Sequence, residues 1–460
     1  MNTSHQKSGE TGARGAAARA LPKELVFGLG ETGLSVARYF ARSGRDARFI
    51  DTRQQPPGMD ELGRICPGAE VILGDAPRGL LKSTTRIIVS PGIADREPLL
   101  AEARAAGIEV VSDIELFVEE ARAPFIAVTG SNGKSTVTSL LALMFDAAGR
   151  PALAGANLGN PALDLLAEPS PHVYVLELSS FQLMRTRNLP AQVAVLLNVS
   201  DDHLDWHSSA AEYREAKYRV FREAKAAVFN RSDGEVVKAI PQNVRRVSFG
   251  PDEPPARHYG LVTEEGEQFL AYGEQMLLAA EDMALAGGHN HLNALAALAV
   301  GRLMGLEFSP MLQVLMEFPG LPHRMQFVAT VGGIDYIDDS KATNIGAAVA
   351  SITSIQGPVV LIAGGEGKGG DFAQLAQAVR ENLKAAILIG RDGPAMARAL
   401  KGVTSVYQAA NMDTAVSVAA NVAGPGDTVL LAPACASLDQ YRNYAERGMD
   451  FRRAVGALTQ

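Results

Sequence analysis

Gly130-Ser131-Asn132-Gly133-Lys134-Ser135-Thr136 puts a glycine turn, a lysine and two hydroxyls in immediate succession. That order suits a phosphate group. Backbone N–H groups at a helix N-terminus surround the anion, and the lysine adds a mobile positive charge. The flanking residues supply the context such a loop needs: Phe125 to Val128 is an apolar run typical of a buried parallel strand, and Val137, Leu140, Leu141 and Met144 follow at helical spacing. A full Walker pattern requires a glycine where Val128 stands, so the match is to the shorter GxxGK[ST]. An ordinary glycine turn before a helix is the plainer alternative, and the strand–loop–helix setting favours phosphate.

Other polar clusters also fall where apolar runs end. Glu177-Leu178-Ser179-Ser180 follows such a run, and an acid at that lip suits magnesium. Asn198 to His207 carries three aspartates and two histidines; His203 and His207 have the i,i+4 spacing of a zinc pair, although no third ligand cluster accompanies them. Lys217, on a charged helix, reads by itself as a solvated face. Gly320-Leu321-Pro322-His323-Arg324 brings an arginine to a proline-marked junction, a setting for a phosphate or carboxylate clamp. Asp338-Asp339-Ser340-Lys341-Ala342-Thr343-Asn344 follows a strand and opens a helix. Gly364 to Gly370 is glycine-rich around Lys368, and Ala432 to Ser437 ends the last strong strand. Cationic and hydroxyl-bearing loops at several strand ends imply polyanionic ligands, ATP among them.

The elements that must hold these loops alternate strand and helix, which predicts α/β architecture with mostly parallel sheets. The first unit starts at Glu24 with strand, Gly28-Leu29-Gly30-Glu31-Thr32-Gly33, helix, and a second strand ending at Asp51. Alone, that pattern denotes dinucleotide binding and admits an NAD-dependent oxidoreductase as a rival. A chain of 460 residues is too long for one core. We expect a disordered tail over 1–21, a Rossmann-like domain over 22–113, a central ATP-binding domain with a parallel sheet over 114–320 and a second Rossmann-like domain over 321–460. A net charge of −8 argues against a nucleic-acid surface. Cys66 and Cys435 cannot make a disulfide framework, which points to a reducing cytoplasm, and no long uncharged apolar run predicts membrane insertion.

GSNGKST, ELSSFQL, NVSDDHLD, YREAK, GLPHR, DDSKATN and APACASLDQ, in that order, together resemble the Mur ligases, over nearly the whole chain after the tail. The last two motifs resemble those members that join D-glutamate to UDP-N-acetylmuramoyl-L-alanine in peptidoglycan precursor synthesis. The resemblance implies an ATP-dependent ligase, monomeric, in which a substrate carboxylate attacks the γ-phosphate and the amino acid then attacks the resulting acyl phosphate. It implies that Gly130 to Thr136 hold ATP, with Lys134 on the β/γ-phosphates. Ser135 or Thr136 with Glu177 would hold one Mg²⁺, and His203 with a carbamylated Lys217 a second. Asn157 would contact the transferred group, Asn290 and Asn293 the adenine, and Arg324, Asp339 and Lys341 the nucleotide and phosphates. Thr343, Lys368, Ser437 and Tyr444 would hold glutamate, with Ser179 and Gln182 also facing substrate. The UDP moiety would lie on Thr32, Asp51, Thr52, Arg53, Ser90 and Gly92. Two positions depart from the family: Glu31 stands where an apolar residue is usual, and Tyr444 where phenylalanine is expected.

Overall fold

The structure, a computed structural model, describes residues 23–200, 202, 206–285, 287–367 and 370–458. The expected N-terminal tail, His203 and Lys368 lie outside the described residues.

Three sheets carry the chain. The first is all parallel, in the order β3-β2-β1-β4-β5, from β1 (Glu24–Phe27), β2 (Ala47–Asp51), β3 (Val71–Leu73), β4 (Arg86–Val89) and β5 (Glu109–Val111). The order reverses between β1 and β4, so the loops after those strands diverge and leave a crevice, the usual ligand position in open α/β sheets.

The second sheet runs β14-β13-β12-β11-β10-β9-β6-β8-β7. Its strands are β6 (Phe125–Thr129), β7 (Ala152–Ala156), β8 (Val173–Glu177), β9 (Val193–Leu196), β10 (Ala226–Asn230), β11 (Arg245–Phe249), β12 (Tyr259–Glu264), β13 (Glu267–Tyr272) and β14 (Gln275–Ala279). Central β6 pairs parallel with β8 and β9, and its Phe125–Thr129 run is buried throughout, as an apolar strand covered on both faces must be. The β12–β14 meander is antiparallel.

The third sheet is β15-β16-β20-β17-β18-β19, formed by β15 (Gln326–Val331), β16 (Ile334–Asp338), β17 (Val359–Gly364), β18 (Leu383–Ile389), β19 (Ser405–Gln408) and β20 (Thr428–Leu431). Only β15 is antiparallel to its neighbour. Sequence reasoning missed β7, β15 and β19. All three are edge strands of small or exposed residues, in which apolar periodicity is weak.

The cores divide unequally. One buried cluster runs without a break from Val26, Phe40 and Phe49 in the first domain through Phe117 into Phe125, Leu176 and Phe221 of the second. The Phe117 ring stands edge-on to Phe125 at 6.2 Å and to Tyr174 at 5.1 Å. The third domain's clusters, around Leu361 and Val429, contain residues of that domain alone among those described. Apolar burial therefore welds the first two domains together, whereas the third meets them through polar contacts.

Candidate active site

The phosphate loop connects β6 to the helix Lys134–Ala147. Gly133 sits at φ +82°, and a Cβ there would meet Asn293 Oδ1 at 2.3 Å, so only glycine fits. The loop is braced by the segment after β9: Asn132 N–H donates to Asn198 Oδ1 (2.9 Å), Asn198 Nδ2 donates to Asn132 O (3.1 Å), and Ser200 N–H donates to Ser131 Oγ (2.9 Å). Lys134 Nζ donates to the carbonyls of Gly130 and Ser131, each at 2.9 Å.

Glu177 closes β8 beside this loop and is buried. Its Oε1 accepts from Asn157 Nδ2 at 2.8 Å, while its buried Oε2 has no hydrogen-bond partner among the described residues. An uncompensated carboxylate oxygen is costly to bury, and a cation would relieve that cost. With the Ser135 and Thr136 hydroxyls nearby in the loop, the donors are hard oxygens, and they fit Mg²⁺ better than zinc. Among the described residues no group of three His, Cys, Asp or Glu could hold a metal. His207, one of the zinc candidates, instead bonds Ser180 Oγ through Nε2 (2.9 Å) and stacks on Phe181.

Lys217 is not on a solvated face. It is 2% exposed, and its Nζ donates to Gly130 O at 2.8 Å, the same carbonyl that Lys134 uses. Burial, reinforced by the Lys134 charge, pushes its amine well below the ordinary lysine range, against the pull of Asp202 and Glu177.

The third domain supplies the opposite wall. Arg324 Nη2 donates to Ser135 Oγ (2.8 Å), and Asn344 Nδ2 donates to Asn132 Oδ1 (3.3 Å) and Asp202 Oδ2 (3.0 Å). Lys341 Nζ lies 4.0 Å from the Tyr444 ring centroid. Asp339 accepts from Met325 N–H at 3.2 Å and from the Ser351 hydroxyl; burial pushes its carboxyl up to about 6. One cavity brings together Lys134, Ser135, Asn157, Glu177 and Lys217 with Arg324, Lys341, Thr343, Ser437 and Tyr444. An adjoining pocket is lined by Gly133, Asn290, Asn293, Phe249 and Asp339.

Of the remaining candidates among the described residues, only Ser179 reaches the main cavity. Ser179 caps the short helix Ser180–Met184 in a capping box with Gln182 and borders the main cavity. The Gln182 side chain is buried on Ser179 and Asp113 instead. Asp51 is fully buried; Leu29 N–H, Arg53 N–H and the Arg53 guanidinium all donate to it, overcoming the effect of burial and lowering its carboxyl. Both Asp51 oxygens are thus engaged within the chain, which disfavours the ribose contact of an NAD site. Ser90 lies across the crevice and donates to Gly28 O at 3.0 Å. Thr32 is half-buried, and Thr52, Arg53 and Gly92 are exposed around the same crevice.

Three positioning residues escaped sequence reasoning. Asp202 and Asn344 stand inside motifs already singled out, yet only the fold shows that they bridge two domains. Arg185 had no signal at all. Its side chain is 1% exposed, donates to Ile93 O (2.6 Å) and Ser90 O (3.3 Å), and lies over the Trp206 ring. It holds the crevice turn of the first domain against the second. Arg185→Ala is expected to raise KM for the ligand of that crevice about tenfold while KM for ATP stays unchanged, as steady-state kinetics would measure.

Asp113 offers a pH test of the same seam. Burial raises its carboxyl to about 6, opposed by bonds from Gln182 and the helix N-terminal N–H groups. The native state therefore binds more protons than the unfolded chain between about pH 4 and 6. That stabilisation is full below about pH 4 and lost as pH rises through about 6. Relative to Asp113→Asn, the parent should lose about 2.5 kcal/mol between pH 4 and 7.5, read from denaturant midpoints.

A three-domain α/β chain with a phosphate loop in its middle domain and a cationic wall from its third has the architecture of an ATP-dependent amide-forming ligase. The chain belongs to the Mur ligase family, and it is a ligase of that type. Residues 22–112 match "Mur ligase MurD-like, N-terminal domain", residues 128–301 "Mur ligase middle domain" and residues 323–435 "Mur ligase, glutamate ligase domain". It is 46% identical over 434 residues to the UDP-N-acetylmuramoylalanine–D-glutamate ligase of Methylococcus capsulatus, covering 94% of each chain. Identity to the ligase of the same name from Pseudomonas aeruginosa is 46% over 438 residues, covering 94% of this chain and 98% of the relative. In fold it is similar to a pseudomurein peptide ligase type C from Methanothermus fervidus (TM-score 0.62, 18% identity, 95% and 100% of the two chains). It is similar also to MurF ligase from Thermotoga maritima in complex with ADP (TM-score 0.59, 16% identity, 95% and 98%). Among the described residues no helix is long and apolar enough to cross a membrane.

Proposed function

We propose that the chain joins D-glutamate to UDP-N-acetylmuramoyl-L-alanine, with ATP converted to ADP and phosphate. The observation that carries this reading is the convergence of the phosphate loop, Glu177 and Lys217 with Lys341, Thr343, Ser437 and Tyr444 in one cavity. The substrate carboxylate attacks the γ-phosphate to give an acyl phosphate; the amino group of glutamate attacks that carbonyl, and phosphate leaves. Lys134 and Arg324 orient the phosphates, Asn157 positions the reacting acyl group, and Asn290 and Asn293 face the adenine in the adjoining pocket. Asp339 anchors the loop that carries Lys341. Thr343, Ser437 and Tyr444 receive glutamate, joined by Lys368; Ser179 borders the acyl acceptor side.

Ser135, Thr136 and Glu177 would hold Mg²⁺, which supplies charge neutralisation at the phosphates when bound. Lys217, as its carbamate, and His203 would serve a second ion. The crevice of the first domain, with Thr32, Asp51, Thr52, Arg53, Ser90 and Gly92 around it, takes the UDP moiety. Domain limits at 113/114 and 320/321, a monomeric state and a cytoplasmic setting complete the reading. Protein mixed with ATP, Mg²⁺, UDP-N-acetylmuramoyl-L-alanine and D-glutamate should release phosphate. Release no greater than in a glutamate-free control would overturn it, as would equal turnover with L-glutamate.

A further inference from the structure

The central domain has a second concave surface that the reaction does not use. It forms where β11 begins, where the connection from β11 to β12 crosses, and near the end of the helix Gly288–Leu303. Arg245, Arg246, Arg257 and Arg302 line it with His258 and Tyr272, and no aspartate or glutamate does so among the described residues. Grouping guanidinium groups around one hollow costs mutual repulsion. In a chain of net charge −8, carboxylates to offset it are plentiful elsewhere.

Structure accounts for only two of these arginines. Arg302 Nη1 donates to Leu306 O (2.6 Å) and pairs with Glu307 (3.2 Å), and Arg246 Nη2 donates to Ile240 O (2.6 Å). Arg245 and Arg257 make no side-chain hydrogen bond or ion pair among the described residues, and both are exposed. His258 Nδ1 accepts the Ser248 N–H at 2.8 Å, so the neutral ring carries its proton on Nε2 and is a further donor. Tyr272, its ring tilted against Tyr259 at 4.9 Å between centroids, forms one side of the hollow.

The hollow is distinct from the nucleotide pocket. Arg245 and Phe249, at opposite ends of β11, line the two sites separately, about 13 Å apart along the strand. Asn293 and Arg302 do the same along the helix, about 14 Å apart.

We infer that this hollow is a second anion site, for a small polyanion with adjacent phosphoryl groups, of which inorganic pyrophosphate is the minimal form. Guanidinium forks match phosphoryl oxygens in pairs, and Arg245 and Arg257, which make no side-chain hydrogen bond or ion pair among the described residues, border one concavity with Arg302, which favours linked phosphates over a single one. The full chain, saturated with ADP in the presence of a chelator, should bind one labelled pyrophosphate in equilibrium dialysis at constant ionic strength. In the double variant R245A/R257A that affinity should fall at least about tenfold, with ADP affinity unchanged. R245K/R257K, which keeps charge but loses the fork, should fall in between. No pyrophosphate bound alongside ADP would overturn the inference. Equal binding by R245A/R257A, or orthophosphate bound as tightly as pyrophosphate, would do so as well.

Discussion

Lys217→Arg is expected to lower phosphate release by about 10³-fold while nucleotide affinity changes less than threefold. The substitution keeps a cation and removes the primary amine. Lys217 is buried against the phosphate loop, donates to Gly130 O and shares that carbonyl with Lys134. Burial and the neighbouring Lys134 charge push its amine well below the ordinary lysine range, towards the neutral form. A neutral amine can add carbon dioxide: the N–C bond forms, a proton leaves to solvent, and a neutral group next to Lys134 becomes an anion. Arginine cannot follow that path. In ¹³C-bicarbonate the parent protein should show a carbamate carbon resonance that Lys217→Arg lacks. Because arginine is bulkier in a closed site, Lys217→Met serves as a second variant and should lose turnover equally. Normal turnover in either folded variant would remove Lys217 from the mechanism.

Glu177→Gln should reduce kcat on the order of 10²-fold and raise the Mg²⁺ concentration for half-maximal activity. The replacement keeps the shape and an acceptor for Asn157, so the hydrogen bond at 2.8 Å can persist. What disappears is the negative charge on a buried oxygen that no donor among the described residues satisfies. The same logic predicts that the variant is at least as stable as the parent without metal, since an unpaired buried charge has been removed. A metal titration of phosphate release, paired with thermal melts in chelator, checks both parts. An unchanged metal dependence would exclude Glu177 as a ligand.

These two positions differ in how far the sequence reached. Glu177 was legible because parallel strands are apolar until they end, so an acid after Val173 to Leu176 marks the lip where ligands bind. The Gly130–Thr136 loop was legible for the same reason, together with its glycines. Strand-ending loops of the third domain, around Asp339, Lys341 and Ser437, were found by that rule too. Lys217 was not, since a lysine on a charged helix looks solvated until the fold packs that helix over a second loop. Arg185 was invisible, because its function lies in carbonyls of another domain.

By itself, then, the order of residues determined which loops carry charge and which strands they end, since burial periodicity and glycine turns are local properties of the chain. Its motifs also carried the resemblance to the Mur ligases. Only the tertiary structure decided which loops meet. It welded the first two domains through one apolar core, left the third to close with Arg324 on Ser135 and Asn344 on Asp202, and turned an ordinary lysine into a desolvated amine. Those outcomes depend on contacts between residues far apart in sequence, and on the dielectric that such contacts create.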